Sequence, residues 1–247
     1  MSLTMSIQEV NLPAPRVPFV STFPSAIRRF MESLRASPEI LRTNGSDHEE
    51  IKKKLHSQGD EKSQGTGNAV TDQETCFAVA LERNGFQYSS NRAPLSSGNY
   101  YIYQVNGSQR SIDFQAFEWV SGAKTREVNF DLKHTKSENF FLNDGWFHTD
   151  IVYIVSWMRK ISEPRKKKVS IADTFIGLGQ DIPTENETRQ YNFHRELLKQ
   201  MNMKKDDEPS NLVLYTRSAN QYRCASRFTP EFSETCFTNV IAFLPSI

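Results

Sequence analysis

The longest apolar runs in this chain, such as "DIVYIVSW" from Asp150 to Trp157, fall far short of the roughly 20 residues that a membrane-spanning helix requires, so no transmembrane segment is expected. Cysteine is scarce. Cys76, Cys224 and Cys236 are three in number and form no CxxC pair, which argues against a disulfide framework or a structural zinc site. The five histidines are scattered without an HExxH, no GxxxxGK[ST] phosphate cradle occurs, and no G-x-S-x-G elbow supports a serine nucleophile. The opening "MSLTMSIQEV" has neither the basic start nor the apolar stretch of a secretory signal, and a cytoplasmic location is expected. Charge of one sign is also lacking. A net +1 over 247 residues gives no global field, so any nucleic-acid partner has to be held by local clusters of charge.

What is present is ordinary for a globular protein: 37% hydrophobic and 24% charged residues exclude a globally disordered or fibrous chain. Residues 1–70 read as an N-terminal helical segment followed by a mobile loop. The helix is "TFPSAIRRFMESLRAS", with Pro24 in its first turn and Ile27, Phe30, Met31 and Leu34 as one stripe. The loop or linker runs from Asn44 to Asn68, rich in charge, Gly, Ser and Gln, with Ile51 and Leu55 as its only large apolar residues, and a short helix inside it stays open as an alternative. Residues 71–247 read as the main body. It opens with a helix whose capping box is Thr71 and Glu74 and whose stop is Gly85.

Strands follow. "NYYIYQVNGSQRSIDFQAFEW" is a hairpin turning at Asn106-Gly107, and its second strand sets Ile112, Phe114 and Ala116 against Ser111, Asp113 and Gln115. "REVNFDLKHTKS" alternates again, with Val128, Phe130 and Leu132 on one face and Asn129, Asp131 and Lys133 on the other. The unbroken apolar run 150–157 suits a strand buried on both faces. A second capping box, Thr184 with Glu187, starts a helix to about Met203, and "NLVLYT" and "YRCASRF" read as two late strands. The order implies an α/β (mixed α+β) fold, a central mixed sheet flanked by helices.

If the hairpin and the next strand are neighbours, Asp113 meets Asp131 and Lys133 on one face. Two carboxylates and an ammonium suit phosphodiester hydrolysis: oxygen ligands hold Mg²⁺ beside the phosphate, and the ammonium steadies or deprotonates the attacking water. "SIDFQAF" followed by "NFDLK", with 18 positions from Asp113 to Asp131, resembles the PD-(D/E)XK nuclease superfamily, many of whose members are type II restriction endonucleases. Ile112 stands in the proline position and the second acid is Asp rather than Glu. The similarity spans roughly Thr71 to Trp157. It implies a restriction-endonuclease-like sheet, Mg²⁺ as cofactor, Asp113 and Asp131 as metal ligands, Lys133 as the catalytic lysine, the Leu132 carbonyl as a further ligand and Glu74 as the extra acidic residue of some members. It also implies a homodimer on double-stranded DNA and, for a restriction system, a companion DNA methyltransferase.

Contacts to DNA are expected from the basic run 159–168, including Lys160, Arg165, Lys166 and Lys167, and base readout from Arg217, Asn220, Gln221 and Arg223. The aromatics of "SENFFLNDGWFHTD" either border the site or close the core over a strand end. A repair or recombination nuclease of the same fold, or a nucleic-acid-binding module without catalysis, stays open as an alternative.

Overall fold

The computed structural model describes residues 22–42, 44–62, 70–90, 94–104, 112–135, 139–142, 145–161, 169–203 and 220–244. Helix α1 is Phe23–Ala36, followed by a 3₁₀ turn, Pro38–Leu41. Its apolar stripe is fully buried, and Pro24 in its first turn removes an N–H that has no intrahelical acceptor there. Helix α2, His48–Lys62, occupies most of the segment expected to be a mobile loop. That expectation is corrected by three residues of one helical face: His48, Ile51 and Leu55 are all buried, and the two aliphatic ones join the main core. Helix α3, Asp72–Arg83, begins with the capping box read from Thr71 and Glu74. It ends before Gly85, whose φ of +92° a side chain would resist.

The strands are β1 (Gln87–Tyr88), β2 (Gly98–Tyr103), β3 (Phe114–Val120), β4 (Ala123–His134), β5 (Asn139–Leu142), β6 (Ile151–Ile161), β7 (Val169–Leu178) and β8 (Asn220–Arg223). Helix α4 spans Glu185–Met203, α5 Cys224–Arg227 and α6 Pro230–Phe243. Six strands form one mixed sheet in the order β1-β2-β3-β4-β6-β7, while β5 and β8 pair as a separate antiparallel ribbon. The expectation of a mixed sheet with flanking helices therefore holds. Strands β2, β3 and β4 are a meander, β4 and β6 run parallel, and β7 returns antiparallel to β6.

Two details fix the β3–β4 register. The strands are joined by Ser121 and Gly122, at φ 51° and 87°, a two-residue turn whose positive φ values match the twist of a hairpin. A bulge then shifts the pairing between Glu118 and Trp119: Glu118 faces Arg126 and Trp119 faces Lys124, leaving Thr125 as the supernumerary residue of β4.

Each face of the sheet has its own core. On one, Phe114, Val128, Phe130, Val152 and Ile154 pack against α1, α3 and α6. Phe77 sits edge-on to Phe130, as does Phe30 to Phe77, an arrangement that adds about 0.5–1.5 kcal/mol per pair beyond burial. On the other, Tyr153, Val155, Trp157 and Phe175 pack against Phe140, Phe147 and Phe228. Phe140 and Phe147 thus close the core rather than face a groove. The expected late strand "YRCASRF" is divided: β8 stops at Arg223 and Cys224–Arg227 is helical. "NLVLYT" and the Asn106-Gly107 turn lie outside the described residues, although β2 and β3 pair as a hairpin requires.

Candidate active site

The carboxylates meet where β4 outruns β3. The last β3–β4 pair is Phe114 with Phe130, and just before it the Asp113 N–H donates to the Phe130 carbonyl at 2.9 Å. Beyond that pair no strand among the described residues pairs with the β3 side of β4. The Leu132 N–H, which emerges on that side, donates at 2.7 Å to Asp113 Oδ2. In an extended strand a residue's carbonyl leaves on the same side as its N–H, so the Leu132 carbonyl also faces the Asp113 edge. Asp131 is 2% exposed, and Lys133, two residues on and on the same face, donates from Nζ to Asp131 Oδ1 at 2.6 Å. Asp113, Asp131, Lys133 and the Leu132 backbone thus come together.

The electrostatics show the strain of packing two acids there. Burial pushes the Asp113 carboxyl up to about 7, and the charge of Asp131 and a hydrogen bond with its carboxyl push the same way; Lys133 and the Leu132 N–H only partly offset them. One proton shared between the acids, or a cation between them, relieves that repulsion.

Glu74, the extra acid of the resemblance, already has structural partners. Its Oε2 accepts the Thr71 N–H at 2.6 Å to complete the capping box, and its Oε1 accepts the Tyr103 hydroxyl at 2.9 Å. Burial raises its carboxyl above the usual range; the Thr71 bonds oppose the rise, and the charge of Asp113 adds to it. Glu74 therefore stands near Asp113 with both oxygens engaged. Among the described residues no group of three or more His, Cys, Asp or Glu side chains is placed to hold a metal ion, so the donors at this end of the sheet are the two aspartates and a backbone carbonyl.

Tyr153, which the sequence did not single out, is the residue directly across from Asp131 in the parallel β4–β6 pair. It is 1% exposed, and its hydroxyl accepts the His148 N–H at 3.0 Å. Burial and then the charge of Asp131 raise its phenol, with smaller contributions from Asp150 and Asp113. Further along the same face Gln115 donates to Asn129 at 2.8 Å, continuing the polar track away from the acids.

The expected DNA contacts are less gathered. Lys160 belongs to β6, while Arg165, Lys166, Lys167 and Arg217 lie outside the described residues. Asn220, Gln221 and Arg223 lie on β8, opposite Leu142, Phe141 and Asn139 of β5, and Arg223 is exposed. Among the described residues no helix is long and apolar enough to cross a membrane. No family model matches the chain, and neither a curated protein nor a solved structure was found to match it.

Proposed function

We propose that this protein is a Mg²⁺-dependent endonuclease that hydrolyses phosphodiester bonds in double-stranded DNA, in the manner of a type II restriction enzyme. The observation that carries the reading is the convergence of Asp113, Asp131 and Lys133 where β4 runs past the end of β3, with burial first and the neighbouring acid second driving the Asp113 carboxyl toward neutrality. Two carboxylates and a carbonyl are too few for an all-protein cage. They suit Mg²⁺, which keeps several waters and completes its shell with substrate phosphate oxygens.

When bound, the ion would supply Lewis acidity at the phosphoryl oxygens and a more acidic water. Asp113 and Asp131 would hold it, with the Leu132 carbonyl as a third oxygen. Asp113 is itself fixed by the Leu132 N–H, so the ligand geometry is built into the backbone. The Lys133 ammonium, anchored on Asp131, sits where it can orient the attacking water and offset charge that develops on the phosphate. No covalent enzyme intermediate is needed. A homodimer, with one site for each strand, and a companion methyltransferase belong to the same proposal.

Digestion of long phage-type DNA by the full chain in Mg²⁺, beside EDTA and the variants Asp113→Ala, Asp131→Ala and Lys133→Ala, tests it. Discrete fragments that vanish in all four controls are expected. A smear lost in the same controls would keep the site but move the role to processing without sequence preference. Absence of cutting by the folded protein with any of several divalent metals would refute catalysis and leave a binding module.

A further inference from the structure

We propose that Tyr153 is a positioning residue for the carboxylate pair: its hydroxyl, aimed by the backbone of His148, holds a water that bridges it to Asp131 and so orders the outer shell of a divalent cation. The inference rests on the reading of Asp113 and Asp131 as a cation site.

The placement comes from register. Tyr153 and Asp131 are direct partners in parallel strands, so their side chains stand next to each other on one face of the sheet. The ring cannot swing away. Phe147 meets it edge-on with centroids 5.0 Å apart, and the backbone of Gly179 lies so close that a Cβ there would run into the Tyr153 ring and the His148 carbonyl. A rigid phenol in this position serves as a fixed dipole.

The direction comes from the hydrogen bonding. The hydroxyl oxygen accepts the His148 N–H, which leaves its proton to be donated. Among the described residues nothing accepts that proton, and no direct hydrogen bond joins Tyr153 to Asp113 or Asp131. A buried hydroxyl whose strand neighbour is the Asp131 carboxylate meets its donor requirement most simply through a bridging water. Outer-shell donors of this kind orient ligands, and their removal typically weakens metal binding or activity by about 10- to 100-fold. The polar face that the sequence shows from Asp113 through Lys133 thus acquires a member from β6, one flanked by Val152 and Ile154 in its own run.

Mn²⁺ alone is the probe, titrated by electron paramagnetic resonance against the full-length wild type, Tyr153→Phe and Asp131→Asn. Tyr153→Phe, which keeps the ring, is expected to weaken Mn²⁺ binding by about 10-fold or more, and Asp131→Asn to abolish it. Equal affinity of wild type and Tyr153→Phe would overturn the role of Tyr153 and leave the cation site standing. Failure of the wild type to bind Mn²⁺ would overturn both. Where metal-free Tyr153→Phe melts well below the wild type, 3,5-difluorotyrosine at position 153 decides, because it keeps the ring, the hydroxyl and the His148 bond while acidifying the phenol. An affinity that shifts with that acidity supports the water-holding role; an unchanged affinity refutes it.

Discussion

Replacing Asp113 with Asn should destroy cleavage yet stabilise the metal-free protein at pH 8. In the folded chain the Asp113 carboxyl keeps its proton up to about 7, whereas its ordinary value is 3.8. Between those values the native state binds more protons than the unfolded one, so stability declines as pH rises through that window and levels off above it. Below about pH 4 the residue costs nothing. At 1.36 kcal/mol per pH unit the full penalty comes to at most about 4 kcal/mol, a ceiling because a charged site relaxes and admits water. Asn retains an acceptor for the Leu132 N–H and can donate to Asp131, so the variant removes the charge and keeps the bonds. Melting in EDTA from pH 4 to 8.5 should show the two proteins nearly together at the acid end. At pH 8 the variant should lie about 5–10 °C higher, given about 2–4 °C per kcal/mol for a chain of this size. Saturating Mg²⁺ should then raise only the wild type, by about 2.7 kcal/mol at a hundredfold excess over Kd. Curves that stay parallel across the whole range, or an Asn variant less stable at pH 8, would refute the account of Asp113 as a buried acid held protonated by its burial and by its neighbour Asp131.

Two substitutions probe the supports of the site. Lys133→Ala should end cleavage and also lower stability by about 3 kcal/mol in urea titrations, since it leaves the Asp131 carboxylate, 2% exposed, without its ammonium; unchanged stability would mean that the pair is solvated. Gly179→Ala should cost about 1–3 kcal/mol as its Cβ is forced against the His148 carbonyl and the Tyr153 ring, and the same titration reads it. A change below about 0.5 kcal/mol, the ordinary range for surface substitutions, would show that this turn does not clamp the segment over Tyr153.

Much of the fold was legible because its start signals are local. Thr71 with Glu74, and Thr184 with Glu187, each make the reciprocal bonds of a capping box, and the apolar alternation of β3 and β4 appears in the two faces of the sheet. Helix α2 was harder to read, since its inward face shows in the sequence only as His48, Ile51 and Leu55 spaced along a charged segment. Helix α6 had its signal: Thr229 accepts the Phe232 N–H, Pro230 follows, and Cys236, Phe237 and Val240 are buried. Strand β7 did not stand out, because Asp173 and Thr174 interrupt its apolar run. The Asp113, Asp131 and Lys133 group was readable from alternation plus strand order. Tyr153 was not, for it sits within a run of apolar residues and acquires its carboxylate neighbour only through the pairing of β4 with β6. Glu74 was legible as a cap partner, whereas its bond to the Tyr103 hydroxyl depends on how β2 lies against α3 and has no local signal.

The extra threonine in β4 decides a question of parity. Directly opposed residues in an antiparallel pair project to the same side, so the bulge at Thr125 determines whether odd or even positions of β4 accompany Asp113. With it, Phe114 opposes Phe130 and both enter the aromatic core, while Asp113 and Asp131 share the opposite side. Without it, every residue beyond the bulge moves by one place: Phe130 comes round to the acidic side and Asp131 turns toward Phe77. Asp131 would then be lost from the proposed cation site. Alignment of the two acids is thus a counting problem solved at the far end of the hairpin, and a single-residue deletion there would act on the site as surely as replacing an aspartate.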